Sequence, residues 1–305
     1  MEVFDQVVTD SYTAYNGDCC EVLAELPDAS IDFSIYSPPF SDLYSYSDSI
    51  ACMSFNENDD QFFEHYAYLI KELFRVTQPG RLSAVHCMNL PKTKSRDGVI
   101  GLRDFRGGII REHEEAGWIY HSEVCIWKDP VLAMQRTKAI GLLHKQVCKD
   151  SSISRQGLPD YVVVFRKPGV NEKPIAGPFT EFIGDPDTFE NTGTLSIDVW
   201  QRYASPVWDD IRQTRTLNNF RDGKEPDDTK HICPLQLDVI ERCLDLWSNP
   251  KDIVLSPFMG IGSEGYCSVQ RGRRFVGVEL KKAYFEVAVK NLQNAATKAN
   301  GKTLF

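Results

Sequence analysis

Two short stretches of this chain carry residue types that can do chemistry together. The first is Ser37-Pro38-Pro39-Phe40, which ends the apolar-rich run Ile31-Asp32-Phe33-Ser34-Ile35-Tyr36. Two prolines remove two backbone donors and stiffen two φ angles. That is a poor way to continue a sheet. It is a good way to hold a loop rigid, with its carbonyls free and one ring projecting. The second stretch is Ser256-Pro257-Phe258-Met259-Gly260-Ile261-Gly262-Ser263-Glu264-Gly265, where Gly260, Gly262 and Gly265 satisfy G-x-G-x-x-G. Small residues between a strand and a helix let a ligand approach the backbone at the carboxyl edge of a sheet. Glu279 ends the next apolar run, where an acid can accept both hydroxyls of a ribose. A tight turn and a solvated Glu would use the same residues. Strand, glycine loop, helix, strand and acid in that order point to a nucleoside site.

These residues need elements to position them. The pattern predicts a strand over 12–16 and a helix over 18–26, with Asp18 as N-cap and Glu21 at capping-box spacing. It predicts a buried strand over 31–36, a polar loop over 41–60 and a helix over 62–76 stopped by Gln78-Pro79-Gly80. Strands over 82–88, 118–127 and 161–165 flank a helix over 105–116. Regular pattern fades over 170–230. It returns as a helix over 234–247, a strand over 253–255, a helix over 263–270, a strand over 275–278 and a last helix over 281–292. The alternation predicts an α/β fold with a mostly parallel sheet flanked by helices. One helix and a tail's worth of chain follow Glu279, so the N-terminal half must complete the sheet. That brings the Ser-Pro-Pro-Phe strand beside the glycine loop, and it disfavours a nicotinamide dehydrogenase.

Composition bounds the partners. The chain has 305 residues, 42% hydrophobic, and a formal charge of −9. Residues 1–65 hold 14 acidic residues and no Lys or Arg, so the remainder is net basic. Two basic stretches, 91–106 and 128–155, offer a local phosphate-binding face despite the acidic total. Lys92, Lys94, Arg103, Arg136 and Lys138 lie in them, and Arg202 and Arg212 lie in the irregular region. Nine scattered cysteines without Cys-x-x-Cys suit a reducing cytosol, with no disulfide framework and no metal site expected. The acidic N-terminus lacks a basic n-region and no apolar run reaches membrane-span length, so a cytoplasmic protein is expected.

Ser37-Pro38-Pro39-Phe40 resembles the (Asp/Asn/Ser)-Pro-Pro-(Tyr/Phe) signature of S-adenosylmethionine-dependent methyltransferases that act on exocyclic amino groups. Ser256 to Ser263 resembles their cofactor loop, usually Asp-Pro-Phe-x-Gly-x-Gly-(Ser/Thr). Catalytic motif first and cofactor motif last is the permuted order of the β group of DNA amino-methyltransferases. Gly17-Asp18-Cys19-Cys20-Glu21-Val22-Leu23 is similar to that group's opening Gly-Asp-x-x-x-x-Leu segment, and 231–236 sits where the group has a segment near the methionine moiety. The likeness covers 11–168 and 231–295. WQRYASPVW and HICPLQLDVIERCL resemble segments of phage and prophage methylases. One departure is Ser256, where the family usually has Asp.

The resemblance implies a Rossmann-like, circularly permuted methyltransferase: a catalytic half over 1–169, a target-recognition insertion over 170–230 and a cofactor half over 231–305. It implies Ser37, Pro38, Pro39 and Phe40 as catalytic residues. It implies Asp18, Cys19, Phe258, Gly260, Gly262, Ser263 and Glu279 at S-adenosylmethionine. Double-stranded DNA is the implied partner, with a homodimer and a cognate restriction nuclease both compatible. An amino nitrogen conjugated to its ring is a poor nucleophile. Acceptors aimed at its hydrogens, here Ser37 Oγ and the Pro38 carbonyl, stabilise the charge that develops as a methyl arrives. Phe40 can stack on the base, which must be flipped from the duplex. Ser at the first position is commoner among cytosine members and Asp among adenine members, so the 4-amino group of cytosine is favoured over the 6-amino group of adenine. RNA and protein-glutamine methyltransferases usually place the cofactor loop first and carry Asn. Methylation at carbon 5 needs a Pro-Cys nucleophile, and only Cys233-Pro234 is present. His86 and Cys87 are expected in the core, and His65, His113 and His121 on the surface. Trp200, Tyr203 and Trp208 suit either a DNA wedge or a small apolar cluster. Asp42, Tyr44 and Tyr46 follow the Ser-Pro-Pro-Phe loop and suit either a lining of the base pocket or ordinary loop surface.

Overall fold

The computed structural model describes residues 3–39, 59–131, 142–153, 155–177, 182–183, 194–217 and 234–302. Its strands are β1 (Asp5–Val8), β2 (Tyr12–Asn16), β3 (Ile31–Tyr36), β4 (Thr77–Cys87), β5 (Leu90–Lys92), β6 (Gly101–Arg103), β7 (Ile119–Ile126), β8 (Asp160–Arg166), β9 (Phe182–Ile183), β10 (Thr194–Leu195), β11 (Val207–Trp208), β12 (Ile253–Ser256) and β13 (Arg274–Glu279). Its helices are α1 (Cys19–Glu25), α2 (Asp59–Val76), α3 (Lys94–Asp97), α4 (Phe105–Glu115), α5 (His144–Val147), α6 (Ser196–Tyr203), α7 (Leu237–Trp247), α8 (Ser263–Gln270) and α9 (Lys282–Lys302).

Nine strands form one sheet in the order β1-β2-β13-β12-β3-β4-β8-β7-β11. The run from β2 to β4 is parallel, β8 is antiparallel to both its neighbours, and β1 closes a hairpin on β2. The strands read as continuous apolar runs because both faces are covered. Phe33, Ile35, Leu82, Ala84, Val162 and Val164 enter one core under α7, α8 and α9. Val85, Cys87, Val163 and Phe165 point the other way, into a second core under α2 and α4. Alternate residues of one strand thus serve two cores.

Three local features differ from the sequence pattern. Gln78-Pro79-Gly80 does not stop the chain in a loop. It forms the irregular start of β4, where Gly80 has φ +74 and its N–H donates to the Lys167 carbonyl at 3.0 Å. The register against β3 shifts there, Ile31 facing Thr77 and Phe33 facing Leu82, as a bulge requires. The irregular region contains helix α6, and its two-residue strand β11 pairs with β7 in the main sheet. A strap from 203 to 217 then crosses α7: Arg212 and Arg215 pair with Asp238, Arg215 also with Glu241, and Arg242 pairs with Asp210. Arg242 also lies over the Tyr203 and Trp208 rings, 4.9 and 5.3 Å from their centroids.

Arg81 holds the middle of the sheet. It is 1% exposed, donates Nε to the Asp32 carbonyl at 2.7 Å and pairs with the buried Asp252 before β12. Removing one partner of a buried ion pair strands the other charge, at about 3–5 kcal/mol. Arg81→Ala is therefore expected to lower the unfolding free energy by that amount in denaturant titrations. A loss of about 1 kcal/mol, the size of an exposed pair, would contradict this placement.

Candidate active site

The parallel strands deliver their carboxyl ends to one edge. Asp18 follows β2, Ser37 follows β3, the glycine loop follows β12 and Glu279 ends β13. His86 is the penultimate residue of β4, Lys128 lies just past β7, and Asp160 opens the antiparallel β8. The registers His86–Val162 and Ile126–Asp160 put these last three at the same edge as Ser37.

Ser37 is half-buried, and Pro38 behind it is buried. Its Oγ lies 3.1 Å from His86 Nδ1 and 3.3 Å from the His86 carbonyl. On the other side of the ring, Nε2 lies 3.1 Å from Asp160 Oδ2, and Lys128 Nζ pairs with that same oxygen. Asp160 is 1% exposed. Burial pushes its carboxyl up, but Lys128 and His86 more than offset this and hold it below its usual value. An ionised Asp160 can only accept, so Nε2 carries the ring proton toward it. With one ring proton on Nε2, Nδ1 is an acceptor within reach of the Ser37 hydroxyl, whose other acceptor is the His86 carbonyl. This leaves the Ser37 oxygen lone pairs free to face a substrate amino group. The sequence pattern places His86 in the core and does not connect it to Ser37. It is buried, but the signal is chemical: a His inside an apolar strand needs hydrogen-bond partners.

Beneath the loop, Tyr36 and Tyr66 hydroxyls meet at 2.9 Å, and Tyr36 packs on Phe258 at 5.9 Å between centroids. This contact joins the Ser-Pro-Pro strand to the glycine loop. His113 is fully buried, correcting the surface expectation. It stacks on Phe165 at 3.7 Å and bonds the Ile109 carbonyl, and burial pushes it down to about 3.

In the glycine loop, Gly260 has φ +52 and would point a Cβ into open space. Gly262 has φ +84 and Gly265 meets Leu292 and Phe275, so these two serve backbone shape and packing. The Glu279 carboxylate accepts from the N–H groups of Gly260 and Lys281, each at 2.9 Å. Burial pushes that carboxyl up to about 7 against those two bonds. The buried side chains of Ser256, Ser263 and Gln236 each leave an oxygen without a partner. Such orphans are rare unless a ligand or solvent completes them. Glu264, in the first turn of α8, is 5% exposed, and burial pushes it up to about 8, with Glu279 adding repulsion.

A carboxyl raised on folding supports the fold fully below its unfolded value, and that support is lost as pH rises through the folded one. The protein without cofactor should therefore lose stability between about pH 5 and 8. Glu264→Gln is expected to remove much of that slope, a difference on the order of 3 kcal/mol at pH 9. Parallel stability–pH curves for parent and variant would contradict the burial of this carboxyl.

Asp18 caps α1, accepting from Cys20 and Glu21 N–H at 2.8 and 3.2 Å, and Cys19 is buried behind it. Asp18, Cys19 and Cys20 are the one group of potential metal ligands among the described residues, within 4.8 Å, and the cap already uses Asp18. Lys92 is half-buried and Lys94 exposed on the β5–α3–β6 arm that leaves the Ser37 edge, with Arg103 half-buried on β6. Arg202 is about half exposed, 3.9 Å from Asp210, whereas Arg212 is clamped by both Asp238 oxygens. Trp208 and Tyr203 are buried, so they form the cluster, while Trp200 is 50% exposed. Phe40, Asp42, Tyr44, Tyr46, Arg136, Lys138 and 231–233 lie outside the described residues.

Comparison with known proteins decides the family. The family model described as DNA methylase matches residues 31–290. The chain belongs to this DNA methylase family. It is 25% identical to the Type II methyltransferase M.Cfr9I of Citrobacter freundii, over 93% of this chain and 89% of that protein. It is 24% identical to M.BglII of Bacillus subtilis, over 94% and 70%. Among solved structures, PvuII DNA methyltransferase (cytosine-N4-specific) superposes with a TM-score of 0.62 at 15% identity, covering 98% of this chain and 97% of that one. A Thermus thermophilus protein solved with S-adenosyl-L-methionine gives 0.62 at 20%, covering 92% and 94%. These structures share the DNA methylase fold described above. No helix among the described residues is long and apolar enough to cross a membrane.

Proposed function

We propose that this DNA methylase transfers a methyl group from S-adenosylmethionine to an exocyclic amino group of a base flipped from double-stranded DNA, the 4-amino group of cytosine being the target. The observation that carries the reading is the shared sheet edge. Ser37, with its proton committed to His86, stands on the strand next to the glycine loop that Glu279 braces.

The residues fit the cofactor. Partnerless oxygens of Ser256, Ser263 and Gln236 await polar groups, and the open side of Gly260 admits a ligand against the backbone. Glu279 would hold the ribose, and Phe258 and the 17–23 turn the rest of the nucleoside. When bound, S-adenosylmethionine supplies a methyl group activated by its sulfonium. The chain's own residues have the remaining tasks of alignment and charge stabilisation. Ser37 Oγ and the Pro38 carbonyl accept from the amino hydrogens, so the nitrogen's lone pair is held toward the methyl. The choice of cytosine is supported by Ser37 itself, the residue commoner in cytosine members. The Type II names of the relatives support a restriction-modification setting.

The protein supplied with S-adenosylmethionine radiolabelled in its methyl group should label duplex DNA and leave RNA and protein unlabelled. Label in RNA or protein alone would overturn the reading.

A further inference from the structure

We infer that His86, backed by Asp160 and Lys128, is a positioning residue that acts through Ser37, fixing its hydroxyl and taking up the proton that the amino group sheds. This rests on the methyltransferase reading above and names residues that the Ser-Pro-Pro-Phe motif does not contain.

The geometry is a continuous line of short contacts: Ser37 Oγ to His86 Nδ1 at 3.1 Å, His86 Nε2 to Asp160 Oδ2 at 3.1 Å, and Lys128 on that carboxylate. Four strands supply it: the exit of β3, β4, β8 and the exit of β7. His86 is 8% exposed and Asp160 1%, so solvent does little of the solvating. A buried His–Asp–Lys cluster is costly to assemble. A strand needing only a core side chain at position 86 would be served by Val or Leu.

The proton count shows what the cluster does. As the methyl is transferred, the nitrogen's lone pair forms the new N–C bond, and the electron pair of the broken C–S bond leaves with sulfur. The nitrogen is then cationic and acidic, and it must lose one hydrogen. Ser37 accepts that hydrogen but already holds its own. Ser37 therefore passes its original proton to Nδ1 as it receives the new one, the N–H electron pair returning to nitrogen. Asp160 stabilises the resulting imidazolium. Lys128 keeps Asp160 ionised, so the carboxylate accepts from the ring and takes no proton itself. Once the product leaves, the ring returns its proton to Ser37 Oγ as that hydroxyl releases its own to solvent in the emptied site.

Two measurements test this. Nitrogen-15 NMR of the histidine-labelled parent should show His86 with its proton on Nε2. A ring protonated on Nδ1 would overturn the proposal, because Ser37 would then have no acceptor there. Single-turnover methylation of DNA at saturating cofactor should fall about 10²-fold in His86→Asn, the low end for proton-transfer catalysis, with calorimetric cofactor affinity unchanged. The double variant Ser37→Ala/His86→Asn should be no slower than Ser37→Ala alone, since His86 acts through that oxygen. Additive losses, or a His86→Asn rate within about twofold of parent, would refute the relay while the parent's DNA methylation keeps the broader reading intact. If His86→Asn fails to fold, the tautomer of the parent decides.

Discussion

Ser37→Ala is expected to cut single-turnover methylation by about 10²–10³-fold, the cost of removing one preorganised hydrogen-bonding group from a reacting centre. Cofactor affinity should not change, because Ser37 follows β3 and its hydroxyl is engaged with His86 and not with the glycine loop. The effect is large because one atom has two tasks: it accepts from the amino group and it links that group to the His86–Asp160 pair. Pro38 and Pro39 make the substitution clean, since two fixed φ angles hold the backbone with or without the hydroxyl. Calorimetry of cofactor binding beside rapid-quench rates measures both quantities. Near-parental methylation would remove Ser37 from the mechanism, and a large loss of cofactor affinity would mean that the loop itself had moved.

Glu279→Ala should show the opposite signature, a cofactor affinity lower by about 10²-fold and DNA affinity little changed. Hydrogen bonds to a charged acceptor contribute about 1.5–3 kcal/mol, and Glu279 has two to backbone N–H groups before any ligand arrives, one from Gly260 in the loop and one from Lys281. Its loss frees Gly260 and removes the ribose acceptor together. The pH dependence gives a second check. The carboxyl is pushed up to about 7 in the free protein. The ionised form is the one that accepts two hydroxyls, so binding releases a proton and affinity should climb from about pH 6 to 8, then level. Glu279→Gln should flatten that climb. Equal affinity in parent and Glu279→Ala would show that this acid only braces the loop.

Much of the scaffold is legible in the sequence because it is written in local pattern. The runs at 12–16, 31–36 and 253–256 form strands within a residue of their expected bounds, and Asp18 caps its helix as its spacing foretells. What is not legible depends on long-range pairing. His86 meets Asp160 only because β8 folds back antiparallel on β4, and Lys128 joins only because β7 does the same on β8. Nothing near position 86 announces either partner. His113 departs from its expected surface position for a nearer reason. Phe105, Ile109 and His113 recur at four-residue spacing and share the buried face of α4, a period that outranks the polarity of one ring. The two residues of β11 are too few to show a period, and what sets them in the sheet is pairing with β7.

Digestion to nucleosides of DNA treated with this protein and S-adenosylmethionine, followed by mass spectrometry, identifies the methylated atom. The expected product is 4-methylcytosine. Finding 6-methyladenine in its place would change the base and leave amino-group transfer standing. Methyl groups on carbon 5 of cytosine, or none on DNA at all, would rule out amino-group transfer to DNA by this protein.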